Sequence, residues 1–288
     1  MAVCRLALCQ MRVTDGLEQN LFAAERMVAR AVQNGADIAV LPEMFCCPYN
    51  NASFVEHAQR PHGHSGKEPS VYEALSHMAR NNRIPLIGGS MPELDEEGHI
   101  YNTCFIFDAE GHEKAFHRKM HLFDIDVPGG QYFKESDTFT RGDGITVVTL
   151  GGVRVGVAIC FDIRFPELAR AMAQQGAEVL VYPAAFNMTT GPAHWELTIR
   201  TRALDDQLFV AACSPARDTS AGYVAYGNSI VADPWGSVAA RLDETEDILF
   251  AELELDRVRS VRRQLPLVSS LRGDMYPVAG GTETTYRP

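Results

Sequence analysis

Apolar positions along the chain fall into two alternating rhythms. Arg5-Leu-Ala-Leu-Cys-Gln10 is a short apolar run that reads as a strand, and Asn20 to Asn34 then sets Leu21, Ala24, Met27, Val28, Ala31 and Val32 at helical spacing. Asn34-Gly35 ends that helix, because glycine accepts the left-handed conformation of a helix stop. Asp37-Ile-Ala-Val-Leu-Pro42 is apolar nearly throughout, as expected of a strand covered on both faces. The cadence returns with a predicted helix over Val71 to Asn82 and a strand over Ile84 to Ser90. It returns again with a helix over Pro166 to Gln175 and a strand over Glu178 to Pro183.

Between these units, strands are expected over Tyr101 to Phe107, Glu113 to Arg118, Thr146 to Leu150, Val153 to Asp162, Leu208 to Pro215, Asn228 to Asp233 and Ile248 to Leu253. Ala109-Glu-Gly111 and Gly151-Gly152 supply turns between them. Strands outnumber helices, so the pattern predicts an α/β fold in which two sheets carry helices on their outer faces, a four-layer sandwich. No interior stretch rich in Pro, Gly or Ser divides the chain, so residues 1–288 are expected to form a single domain. Periodicity fades after Pro266, and 267–288 is expected to be a tail lying over the surface or over a partner subunit.

The 288 residues, 46% of them hydrophobic, suffice for a large core. A formal net charge of -11 argues against nucleic acid or an anionic membrane as partner, since phosphate attraction needs surplus Lys and Arg. A small molecule is the expected partner. No run approaches the ~18 apolar residues that span a bilayer, and the first residues lack the form of a secretory signal. The seven cysteines are odd in number and follow no framework spacing, so free thiols in a reducing cytoplasm are expected.

Three predicted strands end in residues able to carry chemistry, and strand ends are where the loops of α/β folds open onto a crevice. Val153-Arg-Val-Gly-Val-Ala-Ile-Cys160 delivers a thiol ahead of a helix, where a helix N-terminus and a nearby cation would favour the thiolate. Against this stands the ordinary reading of a buried cysteine as a small hydrophobe. Glu43 follows an apolar strand directly, and its ordinary reading is a solvated loop acid. Phe116-His-Arg-Lys119-Met-His121 ends a third strand, and its ordinary reading is a charged edge that discourages strand pairing. Taken together, the three residue types complement one another. Amide hydrolysis needs a nucleophile, a base for its proton and a cation or donor for the oxyanion. Cys160, Glu43 and Lys119 supply that set, and the Phe161 backbone N–H is a candidate second oxyanion donor.

Leu-Pro-Glu43, His-Arg-Lys119 and Ile-Cys160-Phe-Asp-Ile-Arg resemble the three motifs of the nitrilase superfamily of carbon-nitrogen hydrolases. The likeness runs along nearly the whole chain and is strongest to the omega-amidase branch. His121-Leu-Phe-Asp-Ile-Asp-Val-Pro-Gly129, Phe186-Asn-Met-Thr-Thr-Gly-Pro-Ala-His-Trp195 and Ala211-Ala-Cys-Ser-Pro-Ala-Arg217 carry that closer match. The resemblance implies an α-β-β-α sandwich of the nitrilase type, a homodimer, no metal or other cofactor, and Glu-Lys-Cys catalysis. It also implies a second glutamate, matched by Glu135, that orients Lys119 and the substrate amide. Relatives often carry Tyr where this chain has Phe161, a change that keeps the backbone donor and loses a hydroxyl.

Omega-amidases are expected to hydrolyse the terminal amide of 2-oxoglutaramate or 2-oxosuccinamate through a cysteine thioester. Such a substrate ends in a carboxylate beside a keto group. Arg164 is the candidate anchor, because guanidinium forks onto carboxylate, with a structural pair to Glu167 as the competing reading. Tyr49 and Thr190 are candidate hydroxyl donors, and Phe186 a candidate pocket wall. Two alternatives stay open: an amidase for another linear amide, such as deaminated glutathione or an N-carbamoyl amino acid, and a noncatalytic dimeric interaction protein on the same fold. His62-Gly-His64 lacks further ligands at metal-binding spacing. Cys46-Cys47 is adjacent rather than spaced as a metal or redox pair. His194 and Trp195 are expected to cap and pack a helix. No G-x-S-x-G elbow, Walker loop or dinucleotide fingerprint is present.

Overall fold

Side-chain alternation along each strand decides which layer a residue joins. In the computed structural model, which describes residues 3–61, 70–128 and 132–275, Leu6 and Leu8 of the strand Val3–Gln10 share a core with the second sheet. Ala7 and Cys9 of the same strand pack with helices instead. Ile38–Val40 repeats the split, with Ile38 and Val40 in the first core and Ala39 in the second. Burial on both faces is the reason these strands read as continuous apolar runs.

The first sheet runs Asp247–Glu254, Val3–Gln10, Ile38–Val40, Leu86–Ile87, Ile100–Phe107. Met91–Leu94 pairs with Ile100–Phe107 as well, and Glu113–Arg118 takes that strand's other edge. The second sheet runs Val238–Arg241, Ile230–Ala232, Phe209–Cys213, Val179–Pro183, Val153–Val157, Thr146–Leu150. Its central three strands are parallel, as are Val3–Gln10, Ile38–Val40 and Leu86–Ile87 in the first sheet. Leu17–Gln33 and Val71–Asn82 cover the first sheet, and Pro166–Gln174 and Gly191–Asp206 cover the second. The architecture is the expected four-layer α-β-β-α sandwich.

One boundary departs from expectation where it matters. The strand expected over Val153 to Asp162 ends at Val157, and Cys160 opens a 3-10 turn, Cys160–Arg164. The Asp162 carboxylate accepts the Ile159 N–H at 3.0 Å, drawing the chain out of the ladder. The helices Asn51–Glu56 and Asp256–Gln264 and the ribbon pairing Asp124–Asp126 with Tyr132–Lys134 were not signalled by periodicity. Most are too short to show a repeat. Of the expected tail, Val268–Ser270 is a 3-10 turn, while 276–288 lies outside the described residues, as does His62-Gly-His64.

Candidate active site

Backbone turns aim the three strand ends at one point. Beyond Ile38–Val40 the chain reverses at Met44, whose φ is 50° and whose N–H donates to Ser90 Oγ at 3.0 Å. Gly89 lies so close to Pro42 that a Cβ there would come within 2.3 Å of its carbonyl oxygen, so only glycine permits this packing. In Glu113–Arg118 and the residue after it, alternation sends His117 and Lys119 inward, while Arg118 turns away to form two bonds to Glu93, at 2.9 and 2.6 Å. The Lys119 N–H donates to the Asn102 carbonyl at 2.8 Å, and its own carbonyl accepts from Gly142 at 2.9 Å. Cys160 has a φ of 45°. A non-glycine residue in this region stores on the order of 1–3 kcal/mol of strain, a common device for presenting a reactive side chain.

Glu43, Lys119 and Glu135 are each 0% exposed. Lys119 Nζ donates to Glu43 Oε1 and Glu135 Oε1, both at 2.9 Å. Asn102 Nδ2 donates to Glu43 Oε1 at 2.9 Å. The Tyr49 hydroxyl lies 2.5 Å from Glu135 Oε1 and 3.2 Å from Glu43 Oε1. Glu135 Oε2 accepts the Phe123 N–H at 2.7 Å. Among the described residues, Glu43 Oε2 receives no hydrogen bond. Cys160, 5% exposed, approaches the Glu43 carboxylate closely enough to feel its charge.

This arrangement sets the protonation states. Burial is the largest influence on Lys119 and would lower its pKa, but Glu135 and Glu43 together outweigh it and hold the ammonium charged. Burial raises the Glu135 pKa, with Lys119 pulling the other way. For Cys160, burial and then the Glu43 charge push the thiol well above its ordinary range, against Lys119 and the Ala185 N–H. A raised thiol pKa, with desolvation outweighing the nearby cation, agrees with the expected need for a base to take the Cys160 proton. The solvated-acid reading of Glu43 and the charged-edge reading of Lys119 fall with their burial.

Cys160, Phe161, Arg164, Phe186, Thr190 and Tyr223 line one narrow cleft of about 10 Å³. A larger cavity of about 480 Å³ reaches Glu43 and Tyr49, and Ala185 and Tyr223 border both spaces. Arg164 lies over the Phe186 ring at 4.8 Å and within 3.2 Å of His194 Nδ1. Among the described residues it pairs with no carboxylate, so the expected alternative of a Glu167 pair is not formed. Phe186 packs edge-on against Trp195 at 5.0 Å. Phe161 is edge-on to Phe123 at 5.4 Å. Its N–H donates to no backbone carbonyl among the described residues. Two expected substrate donors are otherwise engaged. Tyr49 contacts the carboxylates, and Thr190 Oγ1 lies 3.1 Å from Asn187 Oδ1.

The sequence reading passed over Asn102, Asp162, Asn187 and Tyr223. Tyr223 stacks on Tyr49 at 4.4 Å and donates to the Ala185 carbonyl at 2.5 Å. Asp162 accepts from His117 Nε2 at 3.0 Å and His121 Nδ1 at 2.7 Å. Only the Asp162 site carried a signal, as the acid two residues beyond the cysteine.

The family model for carbon-nitrogen hydrolases matches residues 5–263. The chain is 45% identical over 278 residues to omega-amidase NIT2 of Mus musculus, covering 96% of this chain and 98% of that one. It is 46% identical over 275 residues to nitrilase homolog 2 of Dictyostelium discoideum, covering 95% and 82%. Among solved structures it superposes on Saccharomyces cerevisiae Nit3, of the nitrilase superfamily, with a TM-score of 0.83 and 39% identity over 92% of this chain and 95% of that one.

Proposed function

The chain belongs to the carbon-nitrogen hydrolase family, and from that membership we propose that it is an omega-amidase converting 2-oxoglutaramate or 2-oxosuccinamate to the 2-oxo dicarboxylate and ammonia. Likeness to omega-amidase NIT2 over nearly its full length supports the substrate class. The observation that carries the chemistry is the fully buried Glu43, Lys119 and Glu135 cluster beside Cys160.

In this reading Glu43, through its unoccupied Oε2, takes the Cys160 proton as the sulfur attacks the amide carbon. Because the thiol rests neutral, proton removal and attack are coupled. Lys119 and the Phe161 N–H hold the oxyanion. Collapse breaks the C–N bond, and Glu43 returns the proton so that ammonia leaves. Glu43 then takes a proton from water, whose oxygen attacks the thioester, and Cys160 leaves as the thiol. Glu135 and Tyr49 fix the ammonium and the base. These groups supply nucleophile, base and cation, so the reaction as drawn calls on no metal or cofactor. Arg164, without an acidic partner among the described residues, anchors the substrate carboxylate over Phe186 with Thr190 at the rim. The cleft at Cys160 shares Ala185 and Tyr223 with the cavity of about 480 Å³, which offers the larger space for substrate.

The protein works as one catalytic domain and as a cytoplasmic homodimer. All seven cysteines are free, and Leu197, Leu204 and Trp235 expose 66%, 44% and 51% of their surface around Gly191–Asp206. Sedimentation tests the dimer: a monomer at micromolar concentration contradicts it. Ammonia release across a panel tests the substrate. The reading expects the highest kcat/KM with 2-oxoglutaramate or 2-oxosuccinamate; preference for deaminated glutathione or an N-carbamoyl amino acid overturns it.

A further inference from the structure

We propose that Asp162 is a positioning residue whose carboxylate fixes the Lys119 segment to the Cys160 turn. The inference rests on the reading of Cys160 as nucleophile and Lys119 as its electrostatic partner. The two segments are far apart in sequence, and catalysis needs their side chains in register.

Asp162 is 0% exposed and lines neither the Cys160 cleft nor the larger cavity. Its Oδ2 accepts from His117 Nε2 and from the Ile159 N–H, both at 3.0 Å. Its Oδ1 accepts from the His121 N–H at 2.9 Å and from His121 Nδ1 at 2.7 Å. His117 and His121 lie two residues before and after Lys119, and Ile159 immediately precedes Cys160. One carboxylate thus ties both flanks of the lysine to the root of the nucleophile turn. Its own N–H donates to the Ile159 carbonyl at 3.0 Å, tightening that turn from within. Burial opposes the charge, but the histidines and the Ile159 N–H hold the group ionised, well below the ordinary carboxylate range. The geometry accounts for two features of the sequence at once: the pair of histidines around Lys119 and the acid two residues beyond Cys160.

Asp162→Asn removes an acceptor without changing size. Because reactions are sensitive to sub-ångström misplacement, kcat should fall on the order of 10–100-fold with KM within about threefold. His121→Phe keeps the ring stacked on Phe165, now at 3.6 Å and 11°, and removes only the Nδ1 bond. Its kcat should fall about 3–10-fold, and the double variant should lose less than the product of the two effects. Thermal melting checks folding, and if Asp162→Asn does not fold, His121→Phe decides. Unchanged kcat in a folded variant, or a loss confined to KM, overturns the proposal. Cys160→Ala, assayed alongside, separates the two claims. Turnover persisting there defeats the nucleophile assignment itself, whereas a silent Cys160→Ala with fully active Asp162 and His121 variants defeats only the bracket.

Discussion

Tyr49→Phe separates two roles for a residue that the sequence offered as a substrate contact and that the structure joins to the carboxylates. The ring's packing survives the change, since stacking on Tyr223 at 4.4 Å and the edge contact with Phe54 at 5.2 Å need no hydroxyl. What is lost is one O–H, 2.5 Å from Glu135 Oε1 and 3.2 Å from Glu43 Oε1. A hydrogen bond to a charged group contributes about 1.5–3 kcal/mol, which sets an upper limit of roughly 10–150-fold in rate. Part of that energy is present equally in the resting enzyme and the transition state, so kcat should fall on the order of tenfold. The Tyr49 bond also lowers the Glu135 pKa, so Glu135 should bind a proton more readily in the variant and loosen its hold on Lys119. Steady-state ammonia release from 2-oxoglutaramate measures kcat and KM separately. A raised KM with unchanged kcat would refute the positioning role and restore a direct substrate contact.

Three other outcomes follow from the same geometry. Glu43→Gln should lower turnover on the order of 10²–10⁴-fold, the range of general base catalysis. Since the Glu43 charge raises the Cys160 pKa, alkylation of Cys160 by iodoacetamide should begin at lower pH in that variant; an onset unmoved or moved upward would count against the pairing. Arg164→Met should lower kcat/KM for 2-oxoglutaramate roughly 10–100-fold, the loss of one charge-assisted contact, while changing a short neutral amide less than about threefold. Equal losses on both substrates would remove Arg164 from carboxylate recognition. Burial raises the Asp206 pKa from 3.8 to about 6, with Arg170 opposing. The folded state therefore binds this proton more tightly than the unfolded chain, and its stabilising contribution, at most ~3 kcal/mol, is present below about pH 4 and lost as pH rises through about 6. Urea unfolding should show Asp206→Asn gaining on the wild type between pH 4 and 7, and parallel pH curves would contradict the assignment.

The layers were legible because burial on both faces leaves a simple trace: apolar runs such as Ile38–Val40 and periodic helices such as Val71–Asn82. Glu43, Lys119 and Cys160 stood out as polar or reactive residues closing such runs. Asn102 and Tyr223 left no mark of that kind. Asn102 sits within an ordinary strand and reaches Glu43 across 59 residues of sequence, and Tyr223 lies in a loop whose ring finds Tyr49 only after folding. The early end of the strand before Cys160 goes with an Asp162 carboxylate that also bonds His117 and His121, which belong to another segment. Arg164 could be read as partner to Glu167 or to a substrate, and only folded geometry leaves it without an acid among the described residues.

Intact-mass spectrometry of enzyme rapidly quenched during turnover of 2-oxoglutaramate bears most directly on the sulfur's role. The wild type should gain the mass of one acyl group, mapped by digestion to Cys160, and folded Cys160→Ala should show neither adduct nor ammonia. An adduct at another residue, or sustained ammonia release from Cys160→Ala, would contradict the account.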